Sequence, residues 1–153
     1  MLMTPSSTLR FADETEERFF RTFQNETAAE LEGWFDSSFW HRLILQACVE
    51  EPFTQKVVIA VAAMSTSKKL LRNAGPDTGT SHRAIVAQQT EFAYKQYQKA
   101  LQQMRTALER AGDSRKALIG CILVCCFESL VGNIASAHAH GKSCLCFILL
   151  YCE

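Results

Sequence analysis

The sequence predicts an all-α protein: antiparallel helical hairpins, stacked in a tetratricopeptide-like way and forming the first part of a larger helical domain. Three observations lead there. Apolar residues recur at spacings of three and four, no stretch shows the strict alternation of a half-buried strand, and the periodic segments are separated by breaks rich in Gly, Pro and Asp. The chain has 153 residues, of which 48% are hydrophobic, which suits one domain or part of one with a core of its own.

The elements follow in order. Residues 1–12 read as a flexible arm. "DETEERFFRTF" (13–23) begins with acidic residues, which favour a helix N-terminus, and puts Phe19 and Phe23 on one face. In "GWFDSSFWHRLILQACVEEP" (33–52), Asp36 or Ser37 can cap a helix whose broad apolar face includes Phe39, Trp40, Leu43, Ile44, Ala47 and Cys48. Pro52 ends that helix and suits the first turn of the next, expected over about 53–71, where "VVIAVAAMS" supplies small residues for close packing. "RNAGPDTGTSHR" (72–83) reads as a loop. A long amphipathic helix follows over about 84–111, with Tyr94, Tyr97, Leu101, Met104, Leu108 and Ala111 forming the stripe expected to face a partner helix. Gly112 and Asp113 separate it from a helix over 114–131, apolar nearly all round and therefore expected to be covered on every side. Gly132 and Asn133 turn the chain into a last helix near Ile134.

Composition excludes several roles. Sixteen basic residues balance sixteen acidic ones, which leaves no electrostatic footprint for nucleic acid or an anionic membrane. The runs "ALIGCILVCCF" and "CLCFILLYC" are shorter than the roughly 20 residues of a membrane span, and the N-terminus lacks the basic and apolar regions of a signal peptide. Seven cysteines lie mostly within apolar runs and without Cys-x-x-Cys spacing, so they read as free thiols in a reducing compartment.

Three segments together resemble a known family: "WFDSSFWHRLILQACVEEPFTQKVVIAVAAM", "FAYKQYQKALQQM" and "RKALIGCILVCCFESLVGNIASAHAH". In this order they are similar to the start of the helical regulatory region of fungal binuclear zinc-cluster transcription factors, over about residues 15–141. The residues that carry the resemblance are Phe35, Asp36, Phe39 and Trp40; Glu51 and Pro52; Tyr97, Ala100 and Leu101; Cys126, Phe127 and Glu128; Gly132 and Asn133; and His138, with His140 as the alternative to it. They are packing and turn residues. The resemblance implies transcription regulation in the nucleus, the helical region serving effector response, dimerisation or autoinhibition. It carries over no DNA-binding residue, because the six paired cysteines that hold the family's two zinc ions have no counterpart here. The expected partners are a full-length transcription factor or a second copy of the chain, met through exposed apolar helices, with no direct nucleic acid or membrane contact. The alternative is a free-standing helical adaptor with a tetratricopeptide-like groove.

From Lys142 to Glu153 the pattern changes to an apolar tail, "KSCLCFILLYCE". Gly141–Lys142–Ser143 can be encoded with an intron donor sequence inside it, and residues 142–153 read as intron read-through; a truncating mutation and a native apolar helix end are the alternatives.

No catalytic, cofactor or metal residues are expected. Cys144, Cys146, Cys152, His138 and His140 are spaced so that neighbouring helical ligands would point about 200° apart. Gly141–Lys142–Ser143 lacks the earlier glycine of a phosphate loop, Ser136 standing in its place. The one thinkable nucleophile, Cys126 with His138 or Glu128, lies in "ILVCCF", where burial would raise the thiol pKa. His41 reads as a packing residue, and Lys68, Lys69, Arg72 and Arg83 as a solvated helix end.

Overall fold

The computed structural model of the chain describes residues 9–31, 38–75, 79–111 and 114–132. Among them every regular element is helical: α1 (Glu14–Thr22), a π turn (Phe23–Thr27), α2 (Ala28–Glu30), a second π turn (Phe39–Leu43), α3 (Ile44–Glu50), α4 (Pro52–Asn73), α5 (Thr80–Ala111) and α6 (Ser114–Leu130). Phe35, Asp36, Asn133 and His138, the side chain of Phe39, the caps expected at Ser37, Gly112 and Asp113, and the tail from 142 lie outside the described residues.

The first helix starts where the acidic turn suggests. Asp13 is its N-cap, and its carboxylate accepts a hydrogen bond from the Glu16 amide at 2.9 Å. Glu16 reaches back to accept from the Ala12 amide at 2.8 Å, one residue before the cap, so the two acids together satisfy amides on either side of the helix start. Helical structure then continues through the π turn to Glu30, further than the predicted segment. Phe19, Phe20 and Phe23 are all buried, and Phe11 and Leu9 from the end of the arm pack against the core.

α4 is the axis of the molecule. It packs against α1, α3, α5 and α6, and every residue from Val57 to Met64 is buried. The valine, isoleucine and alanine side chains of that run carry no polar atoms, so enclosure on all sides leaves nothing unpaired. Pro52 occupies its first turn, and Glu51 precedes it in an extended conformation. The predicted loop is shorter than expected: α4 runs to Asn73 and α5 begins at Thr80, so the two form a helical hairpin. His82 Nε2 lies 3.1 Å from the Leu70 carbonyl oxygen across its closed end.

Two expectations need correction. The face of α5 buried most deeply contains Val86, Ala93, Gln96, Tyr97 and Ala100, while Tyr94 stays 41% exposed and Leu101 and Met104 are half-buried. Ala93 and Ala100, both fully buried, let the α4 and α5 backbones approach; of the predicted stripe, Tyr97 lies within the contact, while Tyr94, Leu101 and Met104 lie at its edge. The second concerns α6. Its hydrophobic residues are not covered on every side: Leu118, Cys121 and Ile122 are half-buried, and the fully enclosed run is Val57 to Met64 of α4. α6 lies chiefly along α4 and meets α5 more sparingly. Gly120 marks its closest crossing, where an added Cβ would stand 2.7 Å from Met104 Sδ and 3.3 Å from a Phe53 ring carbon.

Candidate functional site

Because α6 follows α4, it meets α5 at few points. The gap leaves a cavity of about 440 Å³ bordered by Tyr94, Tyr97, Gln98 and Leu101 from α5 and by Phe127, Glu128, Val131 and Gly132 from the end of α6. Gly132 has φ +82°, the left-handed conformation in which glycine carries no Cβ penalty, and so stops α6 at the rim of the cavity.

Aromatic stacking and one buried acid define the walls. The Tyr97 and Phe127 rings are stacked with centroids 4.0 Å apart and planes 18° from parallel. Tyr94 meets Phe127 edge-on at 5.7 Å and 85°. The Tyr97 hydroxyl donates to Glu128 Oε1 at 2.6 Å, and Glu128 is only 8% exposed. No lysine, arginine or histidine among the described residues pairs with that carboxylate. Tyr97→Phe removes its one hydrogen-bond donor and should cost about 1–3 kcal/mol of stability, read as a lower urea midpoint at unchanged slope.

Protonation follows from burial. Desolvation, then the hydrogen bond and charge of Glu128, push the Tyr97 phenol well above its ordinary range. Burial pushes the Cys126 thiol up to about 12, Cys125 adding to it, and burial alone raises Cys48. All three groups hold their protons longer in the fold than in the unfolded chain. Their contribution is fully present below the ordinary thiol value of about 8.5 and is lost as pH rises above it. Urea midpoints should therefore be flat between about pH 7 and 8 and fall from about pH 9 upward. Cys126, 2% exposed and held as the thiol, is a core residue and not an activated nucleophile.

The structure thus gathers five of the sequence-selected residues, Tyr97, Leu101, Phe127, Glu128 and Gly132, around one cavity, with Ala100 and Cys126 buried behind it. The others lie elsewhere. Trp40 is fully buried in the core, and Pro52 and Glu51 begin α4, where Glu51 pairs with Lys116 of α6. Lys69 reaches Glu30 and Glu26, so that end of α4 is tied to the first helical segment. Sequence reasoning missed Gln98 and Val131, which add to the rim. It also missed the buried cluster of Glu16, Lys56 and Gln96, for which the Asp13-to-Glu16 spacing was the available signal. Among the described residues no group of three or more His, Cys, Asp or Glu could hold a metal ion, and no helix is long and apolar enough to cross a membrane.

The sequence model of the fungal-specific transcription factor domain matches residues 18–151, most of the chain, and the chain belongs to that family. The match includes most of the stretch after Gly141. No curated protein and no solved structure matched the chain.

Proposed function

We propose that the chain serves transcription regulation in the nucleus as a helical regulatory module that acts by protein–protein contact and not by contacting DNA itself. Its partner is a second chain carrying the same domain, either a full-length family member or another copy. The observation that carries this reading is the half-buried apolar face of α6, on which Leu118, Cys121 and Ile122 follow one another at helical spacing. Family membership supports the regulatory role, and a formal net charge of zero supports the absence of direct nucleic-acid contact.

Sedimentation velocity over a hundredfold concentration range tests it, alone and with a full-length family member added. Association that Ile122→Glu abolishes, while the helical circular-dichroism spectrum is kept, is the expected result. A monomer at every concentration that also ignores the added relative would sink the proposal. The second reading is an adaptor with a tetratricopeptide-like groove, which the α4–α5 hairpin favours. It predicts a sealed monomer that binds a peptide.

A further inference from the structure

We infer that the cavity between α5 and α6 is a binding site for a small organic cation, an ammonium group carried on an apolar body. The inference goes beyond the interaction reading and does not depend on it, since a monomer could bind such a ligand equally well.

The case starts from Glu128. The residue is nine-tenths removed from solvent, borders an open cavity, and among the described residues receives one neutral hydrogen bond, from Tyr97. A buried charge without a counter-ion is costly, and a cation arriving in the cavity would offset that cost. Elsewhere in the chain the pattern differs. Glu16 is as deeply buried but faces Lys56, and Glu51 faces Lys116. Glu51 also borders a cavity, of about 370 Å³, but Lys116 already pairs with it; of the three, Glu128 is the one that borders a cavity with no basic partner among the described residues.

The remaining walls suit the same chemistry. Tyr94, 41% exposed, presents an aromatic ring at the cavity, and the negative face of such a ring attracts ammonium groups; Tyr97 and Phe127, buried and stacked on each other, back the acid. Leu101 and Val131 provide apolar contact for the body of the ligand, and the Gln98 amide stands at the rim. A volume of about 440 Å³ falls in the lower part of the range for small-molecule sites. An anion is disfavoured, because none of the described residues bordering the cavity is basic. A neutral ligand would leave the carboxylate uncompensated.

The probe is 2-phenylethylammonium, titrated into the full chain and followed by ligand-observed NMR, with 2-phenylethanol as a neutral partner of the same shape. For a ligand this small the expected dissociation constant is on the order of 1 mM. The alcohol should bind about tenfold more weakly or not at all, as should the ammonium to Glu128→Gln. Glutamine keeps an acceptor for the Tyr97 hydroxyl, so the fold should survive. Tyr94→Ala, at an exposed position, offers a second variant and should weaken the ammonium severalfold. Equal binding of the ammonium and the alcohol overturns the inference. So does unchanged affinity in both variants, or no saturation up to about 30 mM.

Discussion

Replacing Glu16 by alanine should cost the fold about 3–5 kcal/mol, a large part of the 5–15 kcal/mol expected for a domain of this size. Three donors converge on that carboxylate: the Ala12 amide at 2.8 Å, Gln96 Nε2 at 2.9 Å and Lys56 Nζ at 3.4 Å. They come from the arm, α5 and α4, so one side chain joins three parts of the chain. Glu16 is 3% exposed. Its removal leaves a partly buried ammonium and a buried amide without their acceptor, and that penalty exceeds the net value of the pair itself. The contrast is Arg21 with Glu17, paired at 2.7 Å on the surface. Distance alone would rank that pair higher, but solvent screens it and Arg21→Ala should change stability by no more than about 0.5 kcal/mol. Urea unfolding of the two variants side by side checks both values. A Glu16→Ala loss as small as that of Arg21→Ala would show that water reaches Lys56.

Phe127→Ala should be comparably severe, at about 3–5 kcal/mol. The ring is 1% exposed, lies in the core and supports both tyrosines of the cavity. Truncation removes buried apolar surface, leaves a void, and takes away the surface on which Tyr97 is stacked as it reaches Glu128. Phe127→Leu fills most of the void but loses the aromatic contacts, and about 1.5 kcal/mol is expected. Thermal and urea unfolding measure both. A near-native Phe127→Ala protein would mean that the end of α6 contributes little to the cooperative fold.

The helices were legible because their end signals and periods are local. Pro52 marked one boundary, the acidic turn after Asp13 suited another, and the alanine-rich run of α4 announced close packing. Gly132 showed its turn because only glycine takes φ +82° without penalty. What the sequence hid depends on the path of α6. Whether Tyr94 or Ala93 faces the core is a difference of one residue along α5, and the apolar pattern allows both. The choice of the α4 run over that of α6 as the enclosed one could not be read from hydrophobicity either, since both helices carry an unbroken run of apolar and small residues. The cavity shares that cause: Tyr97 and Glu128 are 31 positions apart, and no local rule pairs them. Glu16 and Gln96 are 80 apart, and only a tertiary contact explains a charged side chain so deep in the protein.

The π turn at Phe23–Thr27 holds one residue more than an α-helix would use for the same rise. A π turn winds more residues into each revolution than an α-helix, so the extra residue is absorbed within the turn and the two flanks keep their phase. Deleting one position between Phe23 and Thr27 should therefore leave a plain α-helix with Glu16 still facing Lys56 and Gln96. Deleting one position of α1 between Glu16 and the turn has no such slack: each residue advances a side chain by about 100°, and Glu16 would swing away from both partners. The short segment acts as slack in the first helix, able to give up a residue without turning the buried acid off its contacts.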